Sequence, residues 1–182
     1  MSRQYWISPI PPIHVADSTA YTGTAALGDI SPAPAIVIPA NTLEIGSRLE
    51  FNVFGRYTSA ATPGTAILGI YIAPTATAIG SAAVIAAISA VTLPASQTNR
   101  TFRIEGNASV RAHGTAGSII GCIEVTNLSG TSPNGDTQLG PFTAPTAVTI
   151  DTTQALSVRV GATPSVTTQS WTTHYFGVRL VN

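Results

Sequence analysis

Two stretches of the chain alternate strictly between apolar and polar residues, which predicts two strands that each bury one face. They span residues 47–57 and residues 100–111. In the first, the inward set is Leu49, Phe51, Val53 and Tyr57, and the outward set is Arg48, Glu50, Asn52 and Arg56. In the second, the inward set is Phe102, Ile104, Ala108 and Val110, and the outward set is Arg103, Glu105, Asn107, Ser109 and Arg111. Antiparallel sheets with one solvated face have this pattern.

Other stretches are apolar in a different way. Residues 65–73 and 118–126 carry apolar residues on both faces, which predicts strands covered on both sides. Further strands are predicted over residues 147–151, 155–160 and 171–181. The last of these places His174 on the same face as Phe176 and Val178, so we expect His174 in the core with its hydrogen bonds satisfied. Residues 78–90 have a helix-forming composition, but their Ile, Val and Ser content makes a strand or loop an equal alternative.

A weak internal repeat suggests how the strands are arranged. Residues 51–55 match residues 102–106, and each block is followed by Gly-Thr-Ala, at Gly64 and at Gly114. Each block is typical of a strand, a turn and a return strand. Two such hairpins facing each other predict an all-β fold, an antiparallel two-sheet sandwich that is jelly-roll-like. Convergent strand patterning explains the match as well as duplication does.

The first 34 residues differ from the rest, so we divide the chain into an extended N-terminal arm, residues 1–34, and a sandwich domain, residues 35–182. Five prolines in the arm remove backbone donors and disfavour a helix or central strand. The arm is nevertheless too apolar for a solvated tail. Its predicted partner-binding residues are Tyr5, Trp6, Ile7, Ile10 and Ile13. The arm packs either on its own sandwich or on a neighbouring subunit, and a chain that begins near Ala35 is expected to fold without it.

Composition indicates a surface made for contact. Charged residues make up 9% of the chain, against about a quarter in ordinary domains, and all eight basic residues are arginine. Protein interfaces are enriched in arginine and aromatic residues and depleted of lysine and glutamate. A GC-rich genome would also explain the missing lysine, but it does not explain why there are only eight acidic residues.

Net charge and hydropathy exclude two classes of partner. A formal net charge of zero argues against nucleic acid, which calls for a basic surface. We expect no membrane association either, because no apolar run reaches the length of a membrane-spanning helix or a signal peptide. The protein is therefore expected to be made in a cytoplasm and to stay there or leave without the secretory route.

Candidate chemistry is sparse, and we expect a protein that is not an enzyme and holds no cofactor or metal. His14, His113 and His174 have no metal-ligand spacing, and no nucleophile elbow or phosphate-binding loop is present. Cys122 is the single cysteine and lies in an apolar stretch, where a small buried side chain is expected. No disulfide is possible within one chain.

Four arginines lie on the outward faces of the two alternating strands: Arg48, Arg56, Arg103 and Arg111. They either form cross-strand ion pairs on a solvated face, each contributing a few tenths of a kcal/mol, or make bidentate contacts with carboxylates of another subunit.

Several motifs resemble a known family. Residues 38–49 (Ile-Pro-Ala-Asn-Thr-Leu-Glu-Ile-Gly-Ser-Arg-Leu), the Phe-Gly-Arg-Tyr of residues 54–57 and the Thr-Pro-Gly-Thr of residues 62–65 are similar to small β-sandwich virion proteins of tailed bacteriophages, notably those of actinobacteria. The Phe-Arg-Ile-Glu-Gly of residues 102–106, the Thr-Ala-Val-Thr-Ile-Asp-Thr-Thr of residues 146–153 and the Tyr5-Trp6 region resemble the same group.

This resemblance implies a virion structural protein with no catalytic residues. The expected function is a homotrimeric decoration, or cement, protein that binds the major capsid protein of the same virion and stabilises the outside of the head. The alternative is a minor tail or fibre-tip module that binds a host surface glycan. That alternative needs an exposed aromatic platform, for which Trp171, Tyr175 and Tyr57 are the candidates.

Overall fold

The computed structural model describes residues 16–23, 25–129, 137–141 and 144–181, and nearly all the regular secondary structure in this part of the chain is β-strand. In chain order the strands are β1 Tyr21–Thr22, β2 Gly28–Asp29, β3 Ile36–Ile38, β4 Arg48–Thr58, β5 Thr65–Pro74, β6 Ala83–Ala87, β7 Val91–Thr92, β8 Arg100–Ala112, β9 Gly117–Thr126, β10 Thr137–Gly140, β11 Val148–Ile150, β12 Leu156–Pro164 and β13 Ser170–Val181. A single 3₁₀ turn, Ile79–Ser81, precedes β6.

The strands form two antiparallel sheets that pack face to face, so the predicted all-β sandwich is confirmed. Within the described residues the first sheet runs in the order β1-β13-β4-β8-β9-β10, with β11 also pairing with β9. The second runs β2-β12-β5-β6, with β3 on β12 and β7 on β5. Early strands pair with late ones, β4 with β13 and β5 with β12. The β5–β12 pair is therefore nested in sequence inside the β4–β13 pair.

The core lies between the sheets and contains a cluster of aromatic rings. Tyr57 and Trp171 are fully buried and stack with ring centroids 5.0 Å apart, and Phe102 meets Trp171 edge-on at 5.6 Å. The Tyr57 hydroxyl donates a hydrogen bond to the carbonyl of Leu128 (3.0 Å). Burial raises the pKa of Tyr57 to about 12. The alternating residues predicted to face inward on β4 and β8 are those that line this core.

Strand β5 of the second sheet is covered on both sides, as predicted for residues 65–73. Tyr71 and Ala73 are buried on its outer side as well as Leu68, Ile70 and Ile72 on its inner side. The covering layer consists of the segment around Leu27 and the 3₁₀ turn, both of which approach Gly161 closely. Residues 78–90 therefore contain a 3₁₀ turn and the strand β6, with no α-helix.

The prediction that residues 118–126 are covered on both faces is wrong. Strand β9 buries Ile119, Ile123 and Val125 but exposes Cys122 and Glu124. The first sheet has no covering layer over this part of its outer face among the described residues. The apolar residues that suggested a second buried face are Ile120, which is half-buried, and Gly121, which faces the core.

The described part of the arm lies on the protein's own sandwich. Strand β1 pairs with β13 in the first sheet and β2 pairs with β12 in the second. Ile30, which follows β2, is fully buried in the core. Ser18 exchanges two hydrogen bonds with Thr173, one from each backbone N–H (both 2.8 Å). Residues 16–34 therefore tie the two sheets together.

The Thr-Ala-Val-Thr-Ile-Asp-Thr-Thr motif forms β11 and the turn after it. Asp151 accepts hydrogen bonds from the backbone and hydroxyl of Thr153 and from the amide of Gln154, and these bonds lower the pKa of its carboxyl. The buried Thr152 hydroxyl accepts a hydrogen bond from the Gly114 N–H (2.8 Å). The motif thus fixes a turn against the β8–β9 hairpin.

Candidate functional site

The outer face of the first sheet forms a groove of about 980 Å³, which we call the outer groove. Its floor is made by β4, β8 and β9, and its two sides by β13 and β10. It is lined by Arg48, Glu50, Phe51, Asn52, Glu105, Gly106, Asn107, Cys122, Ile123, Glu124, Leu139, Gly140, Pro141, Tyr175, Gly177, Val178 and Arg179. Its volume is at the upper end of the ~300–1,000 Å³ that ligand sites occupy.

Strand register places the groove's side chains in rows across the sheet. One row contains Arg179, Glu50, Asn107 and Cys122. The next contains Gly177, Asn52, Glu105, Glu124 and Leu139. A third contains Tyr175, Phe54 and Arg103. Polar groups therefore occupy the centre of the groove, whereas large apolar groups lie at opposite ends.

The charged side chains of the groove pair with each other in an exposed setting. Glu50 accepts a hydrogen bond from Arg48 and also lies 3.7 Å from Arg179, and Arg103 pairs with Glu105. Exposed pairs of this kind contribute roughly 0–1 kcal/mol to stability. Glu105 lies directly opposite Glu124 on the neighbouring strand, an arrangement that is unfavourable for like charges. The charges of this face do little for folding.

An exposed aromatic pair marks one end of the groove. Phe54 and Tyr175 stack with their centroids 5.5 Å apart and their planes 16° apart, yet they are 48% and 41% exposed. Gly177 leaves the room that this arrangement needs, because a Cβ there would press on the Tyr175 hydroxyl. At the other end, Leu139 is 64% exposed. Solvent-facing aromatic and leucine side chains beside a groove mark a contact surface.

His174 lies outside the core, so the prediction of a core histidine is wrong. The register of β13 against β4 shifts between Thr173 and Tyr175, and this bulge leaves His174 as the extra residue. A bulge re-aims a side chain that strict alternation would bury. The His174 ring nitrogen Nδ1 lies 2.7 Å from a carboxylate oxygen of Asp17. The pair anchors the start of the described chain beside Phe54, whose ring lies 6.2 Å from that of His174.

Cys122 is exposed, which corrects the prediction of a buried thiol. It lies between Gly121 and Ile123, both of which face inward, so the period of two turns Cys122 toward the outer groove. Its sulfur lies 4.0 Å from the side-chain oxygen of Asn107. The described residues therefore leave the thiol open to the groove.

The four predicted subunit-contact arginines do not form one cluster. Arg48 and Arg56 are eight residues apart on β4, which corresponds to about 27 Å along a strand. Arg103 lies beside Phe54, and Arg111 is the extra residue of a bulge between Val110 and Ala112. Arg48 and Arg103 line or flank the groove. Arg56 and Arg111 lie outside it, one on each side of its rows along the direction of the strands. Their role in subunit contacts stays a prediction.

The other predicted site residues divide into two groups. Tyr5, Trp6, Ile7, Ile10 and Ile13 lie outside the described residues. Of the three candidates for an aromatic platform, Trp171 and Tyr57 are buried and Tyr175 is exposed. The partner of Tyr175 in the structure is Phe54, which sequence reasoning missed. The alternation of β4 gives the signal, because an aromatic residue stands there at an outward position.

Two kinds of site are not found in the described part of the chain. It contains no group of three or more His, Cys, Asp or Glu side chains placed to hold a metal ion. None of its helical segments is long and apolar enough to cross a membrane. Comparison of the chain with protein-family profiles finds no matching family, and comparison with curated protein sequences finds no matching protein.

Proposed function

We propose that this protein is a structural protein of a bacteriophage particle, a trimeric decoration protein that binds the major capsid protein and stabilises the outside of the head. The observation that carries the proposal is the outer groove. Its exposed Phe54, Tyr175 and Leu139, together with three arginines on or beside it, have the composition of a protein interface. The resemblance of the turn motifs to small virion proteins supports this choice of partner.

The mechanism is one of mass action. A ligand that binds only the assembled shell stabilises it by RT ln(1 + [L]/Kd), and many copies act in parallel. A trimer gains further from multivalency, because the second and third subunits bind at a high effective concentration once the first is bound. Light scattering of the purified protein tests the trimer, and a stable monomer at micromolar concentration would contradict this part of the proposal.

Attachment to capsids is expected to depend on apolar contact more than on charge. The chain has no net charge, and salt screens exposed charges beyond about 10 Å at 0.1 M. Trp6→Ala is expected to weaken attachment by about 2 kcal/mol or more, as loss of an interface anchor does. The measurement is sedimentation of capsids with bound protein across a salt series.

Trp6→Phe is the matched control and should keep most of the occupancy. Retention of the Trp6→Ala protein, or release of the wild type by moderate salt, would contradict an attachment made by the arm. The contact would then be assigned to the arginines on the outward sheet faces: Arg48, Arg56, Arg103 and Arg111.

A glycan-binding tail module is the second candidate, and the exposed Phe54 and Tyr175 pair favours it. Sugar rings bind aromatic faces through their C–H groups, and planar side chains such as Asn52 and Arg103, which line the hollow beside the pair, can hydrogen-bond sugar hydroxyls. A glycan array should then give a signal that Phe54→Ala and Tyr175→Ala both abolish. Val84→Ala, at an exposed apolar position of the second sheet, is the control. An array without signal would remove this candidate.

A further inference from the structure

The outer groove needs an occupant, because it leaves large apolar side chains in water at both ends. Phe54 and Tyr175 are exposed at one end and Leu139 at the other. The charged residues between them form pairs that add little stability. A surface of this kind is usually covered by a binding partner.

The direction of the chain leads from the first described residues toward this groove. Strand β1 runs antiparallel to β13, with Tyr21 opposite Trp171 and Thr22 opposite Ser170. Upstream of it, Ser18 bonds Thr173 and Asp17 pairs with His174. The chain, followed toward its N-terminus, therefore advances along β13 toward the residues that form one side of the groove.

The segment that precedes Ala16 is long enough to cross the groove. Ile13 precedes Ala16 by three residues and Tyr5 precedes it by eleven. At roughly 3.3 Å per extended residue, these positions reach about 10 Å and about 36 Å from Ala16. The groove extends from β13 across β4, β8 and β9 to β10. Four strand spacings of about 4.8 Å make this width about 19 Å.

The chemistry of the arm fits the groove as well. Residues 5–13 read Tyr-Trp-Ile-Ser-Pro-Ile-Pro-Pro-Ile, which supplies large apolar side chains and three prolines. Proline-rich segments are pre-set in an extended conformation and bind grooves lined with aromatic side chains. Backbone carbonyls of residues 5–13 can accept hydrogen bonds from donors in the groove such as Arg48, Asn52 and Arg179.

We propose that the outer groove binds residues 5–13 of the same chain. The arm crosses the sheet from the Phe54 and Tyr175 pair toward Leu139 and covers Cys122 in the groove floor. This inference goes beyond the function proposed above, because it concerns the isolated protein. Attachment to a capsid would then require the arm to leave the groove, which frees both the groove and Trp6 for contact with the shell.

Cys122 provides the probe. It is the only cysteine, and it lines the groove, so a bimane fluorophore can be attached there without other substitutions. Tryptophan quenches bimane at contact distance. The labelled wild type should be severalfold dimmer than the labelled Trp6→Phe protein, which keeps an apolar ring but does not quench. Trp171 is buried and common to both proteins. Equal intensities would overturn the inference.

A mixing experiment separates the protein's own arm from that of a neighbour. Labelled Trp6→Phe protein is mixed with an excess of unlabelled Cys122→Ser protein, refolded together so that subunits exchange. The bimane should stay bright, because each groove holds its own arm and that arm lacks Trp6. Quenching on mixing would show that the arm comes from another copy, and would overturn the proposal.

The unlabelled thiol gives a second measurement, because a fluorophore in the groove takes up space that the arm needs. Cys122 should react with Ellman's reagent severalfold faster in a chain that begins at Ala16 than in the full chain. Phe54→Ala, at a half-exposed position, should raise the rate of the full chain toward that value. A groove kept open for a saccharide would give the same rate in all three proteins, which contradicts the inference.

Discussion

A chain that begins at Ala35 is expected to fail to fold cooperatively, in contrast to the behaviour expected from the sequence. The deletion removes Ile30 from the core, and truncation of a buried isoleucine costs about 2–5 kcal/mol by itself. It also removes β1 from the first sheet, β2 from the second and the two hydrogen bonds of Ser18. The sum approaches the roughly 5–15 kcal/mol that stabilises a whole domain.

The matched control is a chain that begins at Ala16. It also lacks the apolar residues 1–15 but keeps β1 and β2. Thermal melts followed by circular dichroism should show one cooperative transition for this chain and none for the chain that begins at Ala35. A cooperative melt of the shorter chain near the wild-type temperature would show that β1, β2 and Ile30 contribute little.

Raising the pH from 10 to 12 is expected to destabilise the wild type by about 2 kcal/mol more than Tyr57→Phe. The unfolded Tyr57 ionises near pH 10, whereas burial raises its folded pKa to about 12. The folded state thus favours the neutral phenol. The neutral Tyr57 phenol contributes fully to the free energy of unfolding below pH 10, and this contribution is lost as the pH rises through the folded pKa.

Urea unfolding at pH 8 and at several values up to pH 12 measures this difference. At pH 8 the variant should be less stable by about 1 kcal/mol, because the hydrogen bond to the Leu128 carbonyl is lost. This difference in the free energy of unfolding between the wild type and Tyr57→Phe should shrink as the pH rises and then change sign. Parallel curves for the two proteins would mean that Tyr57 ionises in the folded state as it does in the unfolded one.

Periodicity predicted the strands whose two faces differ most. Strands β4 and β8 bury the inward residues assigned to them, because one face lies on the core and the other meets solvent. The same rule places Phe54 outward, but an aromatic residue in an apolar run does not by itself suggest exposure. The alternation of β4 therefore predicts that Phe54 faces outward, whereas its aromatic character favours burial.

Two errors have one physical cause, which is that composition does not reveal what covers a strand. Strands β5 and β9 are both rich in apolar residues, but among the residues that the structure describes only β5 lies beneath a second layer. Cys122 was expected to be buried for the same reason. His174 was misplaced because it is itself the extra residue of a bulge in β13, whereas Phe176 and Val178 after it face the core as predicted. The bulge has no clear signature in the sequence. The width of the groove depends on the spacing of five strands, which no local pattern encodes.

The position of β13 between β1 and β4 has a consequence for synthesis on the ribosome. Strand β13 ends at Val181, yet it pairs with residues 21–22 and 48–58. Neither sheet can close until β12 and β13 have left the exit tunnel, so β4 and β5 stay without these partners while the residues between them are made. At about 5–20 residues per second this interval lasts several seconds or more. Over that time the unpaired edges of the early strands are exposed, and such edges make an incomplete chain prone to aggregation.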